Sequence, residues 1–134
     1  MASMTGKYLG SLRTEDTHLR SGNQILTDAP PDNNGKGEAF SPTDLVCAAL
    51  SSCMMTIMGM MAEREGIDLK GLNSEITKTM SANPRKIIEI QITFSHSDLK
   101  ANDIQKQKLK NAALTCPVAL SLAEGLKQTI KFNF

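Results

Sequence analysis

Three cysteines are the residues of this 134-residue chain best suited to chemistry: Cys47, Cys53 and Cys116, which stand 6 and 63 residues apart. An odd number at those spacings fits neither a secreted disulfide framework nor a zinc cage, and any working pair among them points to redox chemistry in a reducing compartment. Cys53 lies inside "SPTDLVCAALSSCMMTIMGMMAEREG", Ser41 to Gly66. On a helix it shares a face with Ala49, Leu50, Ile57 and Met60. Cys47 is about 120° around such a helix from Cys53 and roughly 9 Å along it, so the two cannot bridge, and Cys47 reads as a small buried hydrophobe. Cys116 immediately precedes Pro117 at a helix start, where free N–H groups and the positive dipole end favour a thiolate. A mid-helix thiol in an apolar wall has a raised pKa unless a cation reaches it. Local physics therefore ranks Cys116 as the more acidic thiol and makes Cys53 reactive only with help from Arg13, Arg20, Arg64 or Arg85. Spacing does not choose among these arginines, and two inert buried thiols remain the plainer alternative.

The element that must position Cys53 opens on Ser41-Pro42-Thr43-Asp44: a hydroxyl at the N-cap, proline at the first helical position and a carboxylate at the third. The segment stays uncharged from Leu45 to Ala62 and stops at Gly66. That predicts about 24 residues, or roughly 36 Å, of helix. The uncharged length sits at the edge of a membrane span, but Ser51, Ser52, Thr56 and Gly59 dilute it and no aromatic belt flanks it. A helix apolar on every face in a soluble chain must be covered on every face, so the expectation is a dimer built around it. Its methionines, Met54, Met55, Met58, Met60 and Met61, read as adaptable core filling rather than as thioether metal ligands. Neither a metal nor a cofactor is expected.

Around this helix, Tyr8–Leu12 and His18–Leu26 are half-apolar runs broken at Thr14-Glu15-Asp16 and Ser21-Gly22-Asn23, which predicts a β-hairpin. "APPDNNGKGEAFSP" is a long loop, of a length that often carries function. Leu72, Ile76 and Met80, then Ile88, Ile90, Ile92 and Phe94, alternate as two strands joined across Ser81 to Pro84. An amphipathic helix follows, capped by Asn102 and ending near Thr115. A further helix is predicted from Cys116 to a stop at Gly125, and then a strand over Leu126 to Phe134. The fold class expected is α+β: a single domain over 1–134, with an antiparallel sheet packed on a long buried central helix.

Lys and Arg number 15 against 14 acids, giving a net charge of +1, with no Trp, one Tyr and four Phe. No field or stacking surface for nucleic acid exists, and no membrane partner is expected. The N-terminus lacks a signal-peptide pattern, so a cytoplasmic address is expected. His18 and His96 form no motif with the cysteines, and Ser51-Ser52-Cys53 lacks the glycine-flanked elbow of a serine hydrolase.

"SPTDLVCAALSSC", with Pro42 eleven residues before Cys53, and "NAALTCPVAL" about sixty residues later resemble the OsmC/Ohr family of osmotically inducible and organic hydroperoxide resistance proteins. The resemblance runs from about Tyr8 to the C-terminus. It implies an intertwined homodimer with the long helices packed centrally. It also implies a thiol peroxidase acting on organic hydroperoxides and, more weakly, on hydrogen peroxide. In that reading Cys53 attacks the peroxide and becomes a sulfenic acid, Cys116 condenses with it to a disulfide, and a dithiol such as a dihydrolipoyl group restores both. The family's activating arginine maps to Arg13, with Arg20 and the loop cation Lys36 as other candidates. The acid that orients it maps to Asp44, one residue later than in the well-studied branches. Alternatives are a non-catalytic relative binding a small apolar ligand in the dimer crevice, or a thiol redox sensor.

Overall fold

The computed structural model describes residues 1–134 and divides into two compact units, Met1–Val46 and Cys47–Phe134. The first unit is a three-stranded antiparallel sheet in the order β1 (Met4–Gly10), β2 (Arg13–His18), β3 (Gln24–Asp28). The expected hairpin is thus a three-stranded meander, and Thr14, Glu15 and Asp16, read from sequence as a break, lie inside its central strand. Polar side chains do not forbid a strand whose backbone is paired on both sides, and β2 is paired on both sides. Thr14 and Thr27 face each other as a hydroxyl pair. The turn falls instead at Ser11 and Leu12, both at positive φ.

After β3 the chain makes a single 3-10 turn, Pro31–Asn33, and is strapped back on itself: Gly35 N–H donates to Pro30 O, Gly37 N–H to Ala29 O and Asp28 N–H to Phe40 O. The close approach requires glycine, since a Cβ at Gly35 would meet Ala29 O at 1.7 Å.

Helix α1 spans Pro42–Glu65 as expected, and its start is a complete capping box. Ser41 N–H donates to Asp44 Oδ2 (3.0 Å), and Asp44 N–H donates to Ser41 Oγ (3.1 Å). Gly66, at φ 67, ends it. By length and composition α1 could span a membrane, a test that the core helix of a soluble protein passes equally.

In the second unit β4 (Asn73–Ser81) and β5 (Lys86–Ser95) form the expected antiparallel pair, and β6 (Lys127–Asn133) lies parallel to β5. The sheet is therefore mixed, a correction to the all-antiparallel expectation. A parallel neighbour needs a crossover, and α2 (Asp103–Leu114) and α3 (Pro117–Ser121) supply it. α2 is capped by Asn102 as expected, and the Gln105 side chain completes a capping box that the sequence reading did not include. α3 ends at Ser121, short of Gly125, because Leu122 is already extended. Ile90, Ile92 and Phe94 are fully buried on one face of β5, and Phe94 stacks on Phe132 of β6. Ile88, expected on that same face, is bulged: Thr79 pairs with Glu89 and Met80 with Ile87. The extra residue resets the phase of the strand and leaves Ile88 exposed.

Ser51 Oγ donates to Ser74 Oγ of β4 (2.8 Å), which sets α1 against the inner face of this sheet. The buried stripe of α1 is Cys47, Leu50, Ser51, Met54, Met58 and Ala62, a helical 3–4 spacing. Ala49, Ser52, Thr56 and Met60 on the opposite side are exposed. One chain thus covers one stripe of a helix that carries no charge on any face over Leu45 to Ala62. Replacing Ser41 by Ala removes the acceptor for the Asp44 N–H and is expected to lower stability by about 1 kcal/mol, read as a lower urea midpoint at unchanged slope.

Candidate functional site: two facing thiols

Cys53 is half-buried, on the flank where the buried stripe of α1 gives way to the open side. Cys116 is fully buried at the N-cap of α3, where its Sγ accepts the Ala119 N–H at 3.3 Å. α2 delivers it there: Leu109 and Ala113 anchor the helix in the core, and Cys116 N–H donates to Ala113 O immediately after the last turn. Pro117 at the first position of α3 needs no hydrogen-bond partner, so the cap is compatible with a cysteine followed by proline. Cys53 lies near enough to Cys116 to help push its thiol up, and no disulfide joins the two. Cys47, also free, is buried in the core-facing stripe.

The expected acidity of Cys116 is overturned. Burial pushes its thiol up, the Ala119 N–H and the weaker Val118 N–H pull it down, and the adjoining Cys53 sulfur adds to the rise. The helix-start argument counted the donors and omitted the desolvation. With the sulfur wholly removed from water, desolvation is the larger effect.

Of the other sequence-predicted residues, Arg13 and Asp44 belong to the first unit. Arg13 opens β2 directly opposite Asp28, the last residue of β3. Its guanidinium holds the Asp28 carboxylate in a two-point fork, Nε to Oδ1 at 2.7 Å and Nη2 to Oδ2 at 2.8 Å. Glu38 adds an Nη2 contact at 3.4 Å, and its backbone N–H donates to Asp28 Oδ2 at 3.1 Å. The pairing with Asp28 raises the Arg13 pKa, and the Arg13 hydrogen bonds hold the Asp28 carboxyl below its usual range against the opposing effect of burial. Lys36 assists from the loop. Asp44 makes the two capping bonds with Ser41. Arg20, Arg64 and Arg85 are exposed.

Sequence reasoning missed Asp28 and Glu38. The signal for Asp28 was the β2–β3 register, invisible once Thr14 to Asp16 had been read as a break. For Glu38 there was no periodic signal, because it sits in a loop closed by backbone bonds.

The chain is thus an α+β protein with one half-exposed thiol on a long apolar helix and one buried thiol at the cap of a short helix. The chain belongs to the OsmC-like protein family, whose sequence model matches residues 35–131. It is 44% identical to a protein of Psychrobacter arcticus 273-4 described as a candidate osmotic stress induced and detoxification response protein, over 99% of this chain and 96% of that one, with a TM-score of 0.95. It shares its fold with an organic hydroperoxide resistance protein OsmC of Legionella pneumophila at 15% identity, 100% and 98% coverage and a TM-score of 0.74. It also shares it with the organic hydroperoxide resistance protein OhrB of Bacillus subtilis at 17% identity, 99% and 98% coverage and a TM-score of 0.63. No curated protein sequence matches it.

The Asp28 pairing makes a pH prediction. A folded-state pKa below the unfolded carboxylate value of about 3.9 contributes stability that is present above that value and lost as pH falls through the folded pKa. Thermal unfolding followed from pH 5 to about pH 2 should show the wild type losing stability on acidification. Asp28→Asn should start from a lower melting temperature and lose less of it over the same range.

Proposed function

We propose that this protein is a cysteine-based thiol peroxidase that reduces organic hydroperoxides, with Cys53 as the attacking thiol and Cys116 as the resolving one. The observation that supports this reading above all others is the proximity of two free thiols, one half-open and one fully buried, with Cys53 near enough to act on the ionisation of Cys116. The Cys53 thiolate attacks the distal peroxide oxygen. An S–O bond forms, the O–O bond breaks, and the leaving alkoxide takes a proton to become the alcohol. The Cys116 sulfur then attacks the Cys53 sulfenic acid, forming the S–S bond and releasing water. A dithiol donor of the dihydrolipoyl type returns both cysteines to thiols. Burial favours the neutral form of Cys116, so it does not compete for peroxide and serves in the second step, where its position against Cys53 matters more than its acidity.

In this reading Arg13 is the cation that stabilises the Cys53 thiolate, and Asp28, through its two-point fork, is the carboxylate that fixes the plane of the guanidinium. Asp44, the acid suggested by the helix start, acts through the Ser41 cap. The organic preference rests on the apolar neighbours of Cys53 on α1. The protein is a homodimer in which a second copy covers the open side of α1 and the exposed apolar residues of the first sheet, Tyr8, Leu9, Ile25 and Leu26 among them.

Reduced protein mixed with cumene hydroperoxide and a dithiol should consume the peroxide. Cys53→Ser should abolish turnover. With the dithiol left out, Cys116→Ser should still consume about one equivalent of peroxide per subunit and then stall as a sulfenic acid, trapped by dimedone and seen by mass spectrometry. Wild-type turnover by Cys53→Ser would exclude the mechanism. Sedimentation at micromolar concentration should give a dimer mass.

A further inference from the structure

Helix α3, which carries Cys116 at its cap, has only five residues, Pro117–Ser121. A helix so short does not sustain itself: one turn fixes several backbone angles for very few hydrogen bonds, and it persists only where tertiary contacts hold it. Its last carbonyls also lack partners within the helix, because the chain turns extended at Leu122. One of them does find a partner. Gln128 of β6 donates its Nε2 to Ala119 O at 3.0 Å in a partly buried bond. Gln128 is paired in register with Ile90, one of the fully buried residues of β5, so its backbone is fixed to the core strand of the sheet.

Ala119 is thus held at both ends. Its carbonyl accepts from Gln128, and its N–H donates to Cys116 Sγ at 3.3 Å. We propose that Gln128 is a positioning residue for Cys116: by pinning the Ala119 backbone to the sheet it keeps α3 closed and holds the buried sulfur against Cys53. Its amide acts through that backbone. Without the amide donor, the Ala119 carbonyl is left unsatisfied in a partly buried place and α3 opens to find water. The Ala119 N–H then leaves the sulfur, and Cys116 samples positions away from its partner. The proposal rests on the reading of Cys53 and Cys116 as a working pair, but the bond that it concerns can be tested without any peroxide.

Gln128→Met keeps the length of the side chain and removes the donor. The decisive measurement is the equilibrium of the Cys53–Cys116 dithiol with glutathione disulfide in a Cys47→Ser background, which gives the effective concentration of one thiol toward the other. Each disulfide formed in the protein consumes one glutathione disulfide and releases two glutathione molecules. The expected result is a fall in effective concentration of about tenfold in Gln128→Met. In a Cys47→Ser, Cys53→Ser background, the pH dependence of Cys116 alkylation should move to lower pH, because an opened α3 lets water reach the sulfur and the burial that pushes its thiol up outweighs the lost N–H donor. Should Gln128→Met fail to fold, Gln128→Glu, equally long and without a donor when ionised, supplies the same two readouts. An unchanged effective concentration or an unchanged alkylation profile, even with a lowered melting temperature, reduces Gln128 to a packing residue and overturns the proposal. A peroxidase assay that fails while both shifts occur would strike at the proposed function and leave this inference standing.

Discussion

The structure depends on an imbalance between one helix and the sheet that covers it. α1 carries no charge from Leu45 to Ala62, while the chain buries only the stripe from Cys47 to Ala62 that includes Leu50, Met54 and Met58. Everything about Cys53 follows from lying at the edge of that stripe. A residue at its centre would be sealed, as Cys47 is, and one on the far side, such as Thr56, would stand exposed. At the boundary a thiol is half-shielded on one side by the chain's own core and accessible on the other. The Ser51–Ser74 bond fixes the rotation of the helix about its axis, since a hydroxyl buried among methionines needs a partner and this one finds it on β4. A polar pair in the core thereby determines which side of α1 the cysteine lies on.

The second thiol reaches the first because β6 runs parallel to β5. A parallel neighbour cannot follow through a tight turn, so the chain must leave the sheet and return. The excursion through α2 and α3 carries Cys116 into the core beside Cys53, and burial there reverses the electrostatic preference of a helix start. The cap donors still act on the sulfur, but they soften a desolvation penalty instead of creating a thiolate. An antiparallel β6 would have needed no such excursion.

Much of this was legible in the sequence where a signal was local. Ser41 to Asp44 spell a capping box, Gly66 a stop, Asn102 a second helix cap, and Cys116-Pro117 a third helix start; all four stand in the structure. What failed was non-local. Thr14 to Asp16 read as a break because a central strand of polar residues is recognisable only once its two neighbours are known. The parallel sense of β6 depends on which edge of β5 was free, and the end of α3 at Ser121 on the position of β6. The bulge at Ile88 breaks an alternation that is perfect on paper. The acidity of Cys116 was misjudged for the same reason: helix position is local and burial is not.

The pairing of Arg13 with Asp28 belongs to that non-local class. An arginine near a first hairpin turn has many possible partners in sequence, and a carboxylate at a helix start is the conspicuous one. The register of β2 on β3 places Asp28 opposite, and the loop closed by Gly35 and Gly37 brings the Glu38 N–H onto the same carboxylate. With Nε and Nη2 both committed to a carboxylate that is itself buried and bonded, the guanidinium cannot turn without breaking two charge-assisted bonds at once. A lysine on the same strand could match the charge but not this constraint, because a single ammonium has no plane to fix. The value of arginine at this position therefore lies in its orientation, and that orientation is set by a strand pairing that no local motif encodes.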